Sequence, residues 1–192
     1  GTCNELNAGY AADGYASMRG LGGAVVTYGV GGLSILNAVA GAFAEQAPLI
    51  VVSGAPPARR REAGARVHHL VDNYQLQLDV YRKITAGAAL LTDPETAPAE
   101  IDRVLAASLA RKLPGYLELP ADMAGRPCRA PGPDWPPAAA VSDPAQLAAA
   151  VAETAARFGR AAHPLALVGM ELARQRLGPD ALRLVETVEI PF

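Results

Sequence analysis

The chain has 192 residues, of which 51 % are hydrophobic and 19 % charged, with a formal net charge of −2. That length holds one well-buried domain and part of another, and the composition is globular rather than disordered. With no basic run longer than Arg59-Arg60-Arg61 and no apolar run near the roughly 20 residues of a bilayer span, neither nucleic acid nor membrane is an expected partner.

Apolar runs rich in Val and Ile alternate with Ala-rich stretches of helical period, which predicts an α/β domain built on a parallel sheet. Residues 4–18 read as a helix whose small residues Ala8, Ala11, Ala12 and Ala16 permit close packing. Residues 24–28 form a short buried strand closed by Gly29, Gly31 and Gly32. Leu33, Leu36, Ala40 and Phe43 recur at helical spacing over residues 33–47, Pro48 ends that helix, and residues 49–53 are the next strand. Residues 54–67 read as a loop, residues 72–80 as a helix, and a strand falls within residues 83–91. Asp93-Pro94 has the favoured order of cap and first-turn proline for a helix reaching about Lys112, followed by a strand at residues 115–119.

Seven prolines between residues 120 and 144, without sustained hydrophobic period, mark a linker. Beyond it a helix at residues 143–158, a strand at 165–168 and a helix at 179–188 begin a new unit. No strand precedes the first helix, so part of the first βαβ unit is expected upstream, and the chain reads as a fragment or the ordered part of something longer. The two cysteines, Cys3 and Cys128, lack pairing or metal-ligand spacing, which suits a reduced, cytoplasmic chain.

Composition and period stop at an α/β domain. The segment Cys3-Asn4-Glu5-Leu6-Asn7-Ala8-Gly9-Tyr10-Ala11-Ala12-Asp13-Gly14-Tyr15-Ala16, however, resembles the one that carries the cofactor-activating glutamate in pyruvate and indolepyruvate decarboxylases. The resemblance continues through Val25 to Gly31, Ala42-Phe43-Ala44-Glu45, Val52-Ser53-Gly54-Ala55-Pro56, the pair His68-His69, and Pro114 to Asp122. On it the chain is similar to the thiamine-diphosphate-dependent 2-oxo-acid decarboxylases. Residues 1–124 would be a pyrimidine-binding domain lacking its first strand and helix, 125–142 the linker, and 143–192 the start of a central α/β domain.

The resemblance implies that Glu5 hydrogen-bonds the N1′ atom of the thiamine diphosphate aminopyrimidine and so promotes formation of the cofactor ylid that attacks the 2-oxo acid. Such a carboxyl group is expected to be buried. The bland alternative places Glu5 in the first turn of a helix merely to complement its dipole. His68 and His69 resemble the pair that handles the substrate carboxylate and protonates the reacting carbon, a task suited to imidazole near neutral pH; the alternative is two ordinary loop histidines. Gly29-Val30-Gly31-Gly32 lacks the glycine and lysine spacings of a phosphate loop. By resemblance its backbone lies against the aminopyrimidine with Thr27 and Val30 nearby, while glycine's tolerance of positive φ explains the same composition.

No Gly-Asp-Gly motif with a downstream Asn pair is present, so ligands for Mg²⁺ and diphosphate are expected in another domain, and no metal ligand is assigned here. The resemblance implies a homodimer or homotetramer with its active site at the subunit interface. The full-length parent would convert a 2-oxo acid to an aldehyde and CO2, and the isolated chain would be inactive. A carboligase of the same superfamily and a non-catalytic ligand-binding remnant remain as alternatives.

Overall fold

The computed structural model describes residues 1–130 and 141–191. The chain divides into two compact units, Gly1–Ala138 and Ala139–Phe192. In the first, α1 (Glu5–Arg19), β1 (Gly22–Val26), α2 (Val30–Ser34), α3 (Leu36–Ala44), β2 (Leu49–Ala55), α4 (Ala58–Glu62), α5 (Leu76–Lys83), β3 (Gly87–Leu90), α6 (Ala97–Arg111) and β4 (Gly115–Pro120) follow one another. The four strands form one parallel sheet in the order β1-β2-β4-β3, as the alternation of strand and helix patterns predicted.

Strand side chains alternate between two helical layers because successive Cβ atoms point to opposite faces. Leu49 and Val51 of β2 and Tyr116 of β4 join a core with Ala12 and Ala16 of α1, Ala38 and Val39 of α3, and Leu78 and Tyr81 of α5. Ile50 and Leu117 point the other way, to Val104 of α6. The register pairs Val51 with Tyr116 and Ser53 with Glu118, so these four residues share the α1/α3/α5 side.

Local chemistry fixes the helix ends. The Asn4 side chain caps α1 by accepting from the Asn7 N–H at 2.9 Å, and Gly20, at φ 91°, closes it in the left-handed region. The small residues of α1 let it approach α3 closely: a Cβ on Gly9 would lie 2.6 Å from that of Ala38.

Several elements differ from the sequence-based expectation. β1 runs two residues earlier than predicted and ends at Val26, the last residue paired with β2, which releases Thr27 and Tyr28 into the following turn. The helix expected over residues 33–47 starts at Val30, breaks at the fully buried Ile35 and ends at Ala44. The loop 54–67 contains α4, one turn carrying the arginine run. Asp93 caps no helix: its side chain accepts from the Glu95 N–H and its carbonyl from Ala97, forming a turn, and α6 begins four residues later with Pro98 in its first turn.

The second unit contains α7 (Pro144–Arg160), α8 (Met170–Arg174) and α9 (Gly178–Thr187). Asp143 caps α7 by accepting from the Gln146 N–H at 2.8 Å. Residues 165–168 form no strand, contrary to their apolar pattern; Ala166 donates one backbone hydrogen bond to Pro191, and an apolar run without a paired neighbour has no ladder to join. Within the predicted linker, residues 131–140 lie outside the described residues. Among the described residues no helix is long and apolar enough to cross a membrane.

Candidate active site

The chemistry-bearing residues gather at the carboxyl ends of β1, β2 and β4, where open parallel sheets place their ligand crevices. The organising element runs from Thr27 to Gly32, the tight turn after β1 together with the first residues of α2. Gly29 adopts φ 64°, a conformation that costs a side-chain-bearing residue strain, and a Cβ on it would overlap the His69 carbonyl oxygen. A glycine is therefore required there for two independent reasons.

Glu5, the first residue of α1, is half-buried rather than buried. Its carboxylate lies against the far side of the turn: a Cβ on Gly31 would stand 3.3 Å from Glu5 Oε1 and 2.5 Å from Thr27 Cγ2. Thr27 and Glu5 thus meet at Gly31. Val30 projects from the same turn and is exposed.

His68 and His69 are exposed, with ring centroids 3.9 Å apart and planes at 82°. His69 itself takes φ 64°, and its ring stands edge-on to Tyr28 at 6.5 Å. The structure therefore brings four of the expected residues to one turn, Glu5, Thr27 and Val30 at Gly31 and its neighbour, and His69 at Gly29. His68 reaches it through contact with His69.

The segment that follows the histidines is pinned by Arg61, whose guanidinium donates to the Tyr74 carbonyl and to Gln75 Oε1, both at 2.6 Å, and lies 5.8 Å above the Tyr74 ring. Arg61, His69, Tyr74, Gln77 and Glu118 line one small cavity of about 40 Å³.

Sequence reasoning missed the polar cluster behind the turn. Gln77 Oε1 accepts from the Gly29 N–H at 2.7 Å, and its Nε2 donates to Ser53 Oγ at 3.0 Å and to the Tyr116 hydroxyl. Tyr116 in turn donates to Glu118 Oε1 at 2.9 Å and stacks on Tyr81 at 3.6 Å. Glu118 is only 3 % exposed. Burial raises its carboxyl pKa above the ordinary value, opposed by the Tyr116 hydrogen bond and by the charges of Arg61 and Arg82. Burial also pushes both tyrosine hydroxyls well above their usual range, Glu118 adding to the effect, so both stay protonated donors. The available signal was a carboxylate inside the apolar strand Gly115-Tyr116-Leu117-Glu118-Leu119, since buried charges are rare without a purpose.

The donor set fits an aminopyrimidine ring. A flat heterocycle needs close backbone approach, which Gly29 and Gly31 allow, and a carboxyl group at its edge, which Glu5 beside Gly31 would supply. Among the described residues no group of three or more His, Cys, Asp or Glu side chains is arranged to hold a metal ion.

The chain is similar to several known proteins. Indole-3-pyruvate decarboxylase of Azospirillum brasilense is 39 % identical over 191 residues, covering 98 % of this chain and 34 % of that protein. Pyruvate decarboxylase 2 of Oryza sativa subsp. japonica is 36 % identical over 192 residues, covering 97 % of this chain and 32 % of its own length. Pyruvate decarboxylase of Aspergillus parasiticus is 44 % identical over 125 residues, 64 % of this chain and 22 % of that protein. The chain thus spans about a third or less of the curated relatives it matches. Residues 1–79 match the family described as thiamine pyrophosphate enzyme, N-terminal TPP binding domain. Over residues 1–79 the chain is thus similar to the N-terminal TPP-binding domain of the thiamine pyrophosphate enzymes, and the relatives it resembles are named pyruvate and indole-3-pyruvate decarboxylases.

Proposed function

We propose that this chain supplies the cofactor-activating half of a thiamine-diphosphate-dependent decarboxylase that converts a 2-oxo acid to an aldehyde and CO2. The observation that carries this reading is the convergence of the Glu5 carboxylate and the His69 backbone on opposite ends of one glycine turn. Bound thiamine diphosphate supplies an electron sink for the bond broken in decarboxylation.

The chain's own residues do the rest. Glu5 holds a proton at the edge of the aminopyrimidine and shares it with a ring nitrogen. Thr27, Val30 and the backbone of Gly29 to Gly31 set the plane in which the ring lies. His68 and His69, exposed above the turn, receive the substrate carboxylate and deliver the proton that the product carbon needs. Mg²⁺ and the diphosphate belong to another domain, with the site completed across the interface of a homodimer or homotetramer in the cytoplasm. Within this reading residues 1–124 are the pyrimidine domain, 125–142 a linker and 143–192 the start of a central domain.

The test is product analysis of the full-length protein with pyruvate and with an aromatic 2-oxo acid, thiamine diphosphate and Mg²⁺ present, for the native sequence and for Glu5→Gln. Aldehyde release that requires the cofactor and collapses in the variant is expected. Acetolactate as the product from pyruvate would instead indicate a carboligase. A Glu5→Gln protein with native turnover would refute the role of Glu5.

A further inference from the structure

The turn that Glu5 and His69 touch is held from behind by a single carboxamide. Gln77, on the second residue of α5, meets the turn twice: its Oε1 accepts from the Gly29 N–H at 2.7 Å, and a Cβ on Gly32 would lie 2.6 Å from its Nε2. We propose that Gln77 is a positioning residue for the cofactor turn, its amide locked in one orientation by a hydrogen-bond chain that starts part-buried at Gln77 and runs through Tyr116 to the buried Glu118. This rests on the functional reading above and extends it to residues that touch no substrate.

The direction of each donor fixes the argument. Tyr116 gives its proton to Glu118, so toward Gln77 its oxygen can only accept, and Nε2 must face it. Ser53 Oγ lies 2.9 Å from the Gly54 carbonyl, to which it donates, and accepts the second Nε2 proton. With both amide protons committed, Oε1 is left aimed at Gly29. Flipping the amide would set an NH2 against the Gly29 N–H and an oxygen against the Tyr116 oxygen, losing three hydrogen bonds in a site where each unmade bond is costly. Two further contacts stiffen the frame. Tyr81, stacked on Tyr116, donates to the Gly32 carbonyl at 2.6 Å, closing the other end of the turn. Glu118 is anchored in β4, whose register with β2 puts Glu118 opposite Ser53. The position of the Gly29–Gly31 backbone is thus set by the sheet through Gln77 as well as by the glycines of the turn itself.

The experiment uses the full-length protein with Gln77→Met, which keeps the side-chain volume and removes every hydrogen bond, and Tyr116→Phe, which removes one oxygen. Val104→Ala, in the core on the opposite face of the sheet, serves as a control for stability alone. Two quantities are read: amide hydrogen exchange at Gly29 without cofactor, and the thiamine diphosphate concentration for half-maximal activity together with kcat at saturation. In Gln77→Met the Gly29 amide is expected to exchange at least about fivefold faster, the free-energy equivalent of one net hydrogen bond. The half-saturating cofactor concentration should rise about tenfold, with a smaller loss in kcat. Tyr116→Phe should move both in the same direction by less, and it keeps the test open if Gln77→Met does not fold. Unchanged Gly29 exchange in the variants overturns the proposal, as does faster exchange with native cofactor saturation, or an equal shift in Val104→Ala. A native protein without cofactor-dependent turnover would overturn the functional reading instead, while the exchange measurement would still decide whether Gln77 holds the turn.

Discussion

Two carboxylates flank the same glycine turn, and they could hardly be housed more differently. Glu5 opens a helix at the rim, half-buried, its oxygen beside Gly31. Glu118 sits inside β4 at 3 % exposure, accepting from Tyr116 and facing Arg61 across a small cavity. A group that exchanges a proton with a bound ring must be reachable from the crevice, whereas a group that holds a backbone in place is most effective where water cannot compete for its hydrogen bond. Location relative to the turn, more than residue type, would separate the two proposed tasks.

The comparison can be broken most sharply at the rim. In the full-length protein, Glu5→Gln should lower kcat by about 10²–10⁴-fold, the range usual for a positioned proton-transfer group, with melting temperature nearly unchanged. Steady-state kinetics beside calorimetry checks it; a stability loss that accounts for the inactivity would mean the residue is structural. Gly29→Ala comes next. It forces a Cβ into the His69 carbonyl at φ 64°, and should cost about 1–3 kcal/mol in denaturant unfolding while displacing the histidines.

On the buried side, Glu118→Gln should change the pH dependence of stability. The folded-state pKa of Glu118 is raised, so the native state binds more protons than the unfolded one from about the ordinary value of 4.5 up to the folded value. Stability from this group is therefore greatest below 4.5, declines as pH rises through the folded pKa, and is level above it. Unfolding curves across that window should lose this decline in Glu118→Gln; an identical slope in both proteins would contradict the assignment. The smallest effect belongs to the exposed pair Arg157–Glu153 on α7, 2.6 Å apart but both largely in solvent. Glu153→Gln should shift unfolding by under about 0.5 kcal/mol.

Much of the first unit was legible in the residues. Alternating apolar runs gave the parallel sheet, and Asn4, where the first helix was expected to begin, caps α1. The segment around Glu5 and the pair His68-His69 stood out through their resemblance to the thiamine-diphosphate-dependent decarboxylases, since residue type alone would leave a helix-end glutamate and two loop histidines. Asp93-Pro94 misled, since an Asp that can close a helix can equally close a turn, and local spacing does not separate the two. The apolar run at 165–168 misled because strand formation depends on a neighbour that the run itself does not encode. Gln77, Tyr116 and Glu118 were invisible as a set: they are separated by up to 41 positions and joined only by strand register and helix docking. Only the lone carboxylate in an apolar strand hinted at them.

The stretch carrying α4 and the arginine run is tied down at both ends. Asp122 Oδ1 accepts from the Ala58 N–H at 2.9 Å where it leaves the sheet, and the His69 carbonyl rests on Gly29 where it returns. Between these moorings the chain can lengthen or shorten at an entropic cost that grows only about 0.6 kcal/mol for each doubling of its length. The imidazoles would keep their station through such a change only if Arg61 kept its hold on Tyr74 and Gln75, so the freedom of this stretch to change length lies around that arginine and not through it.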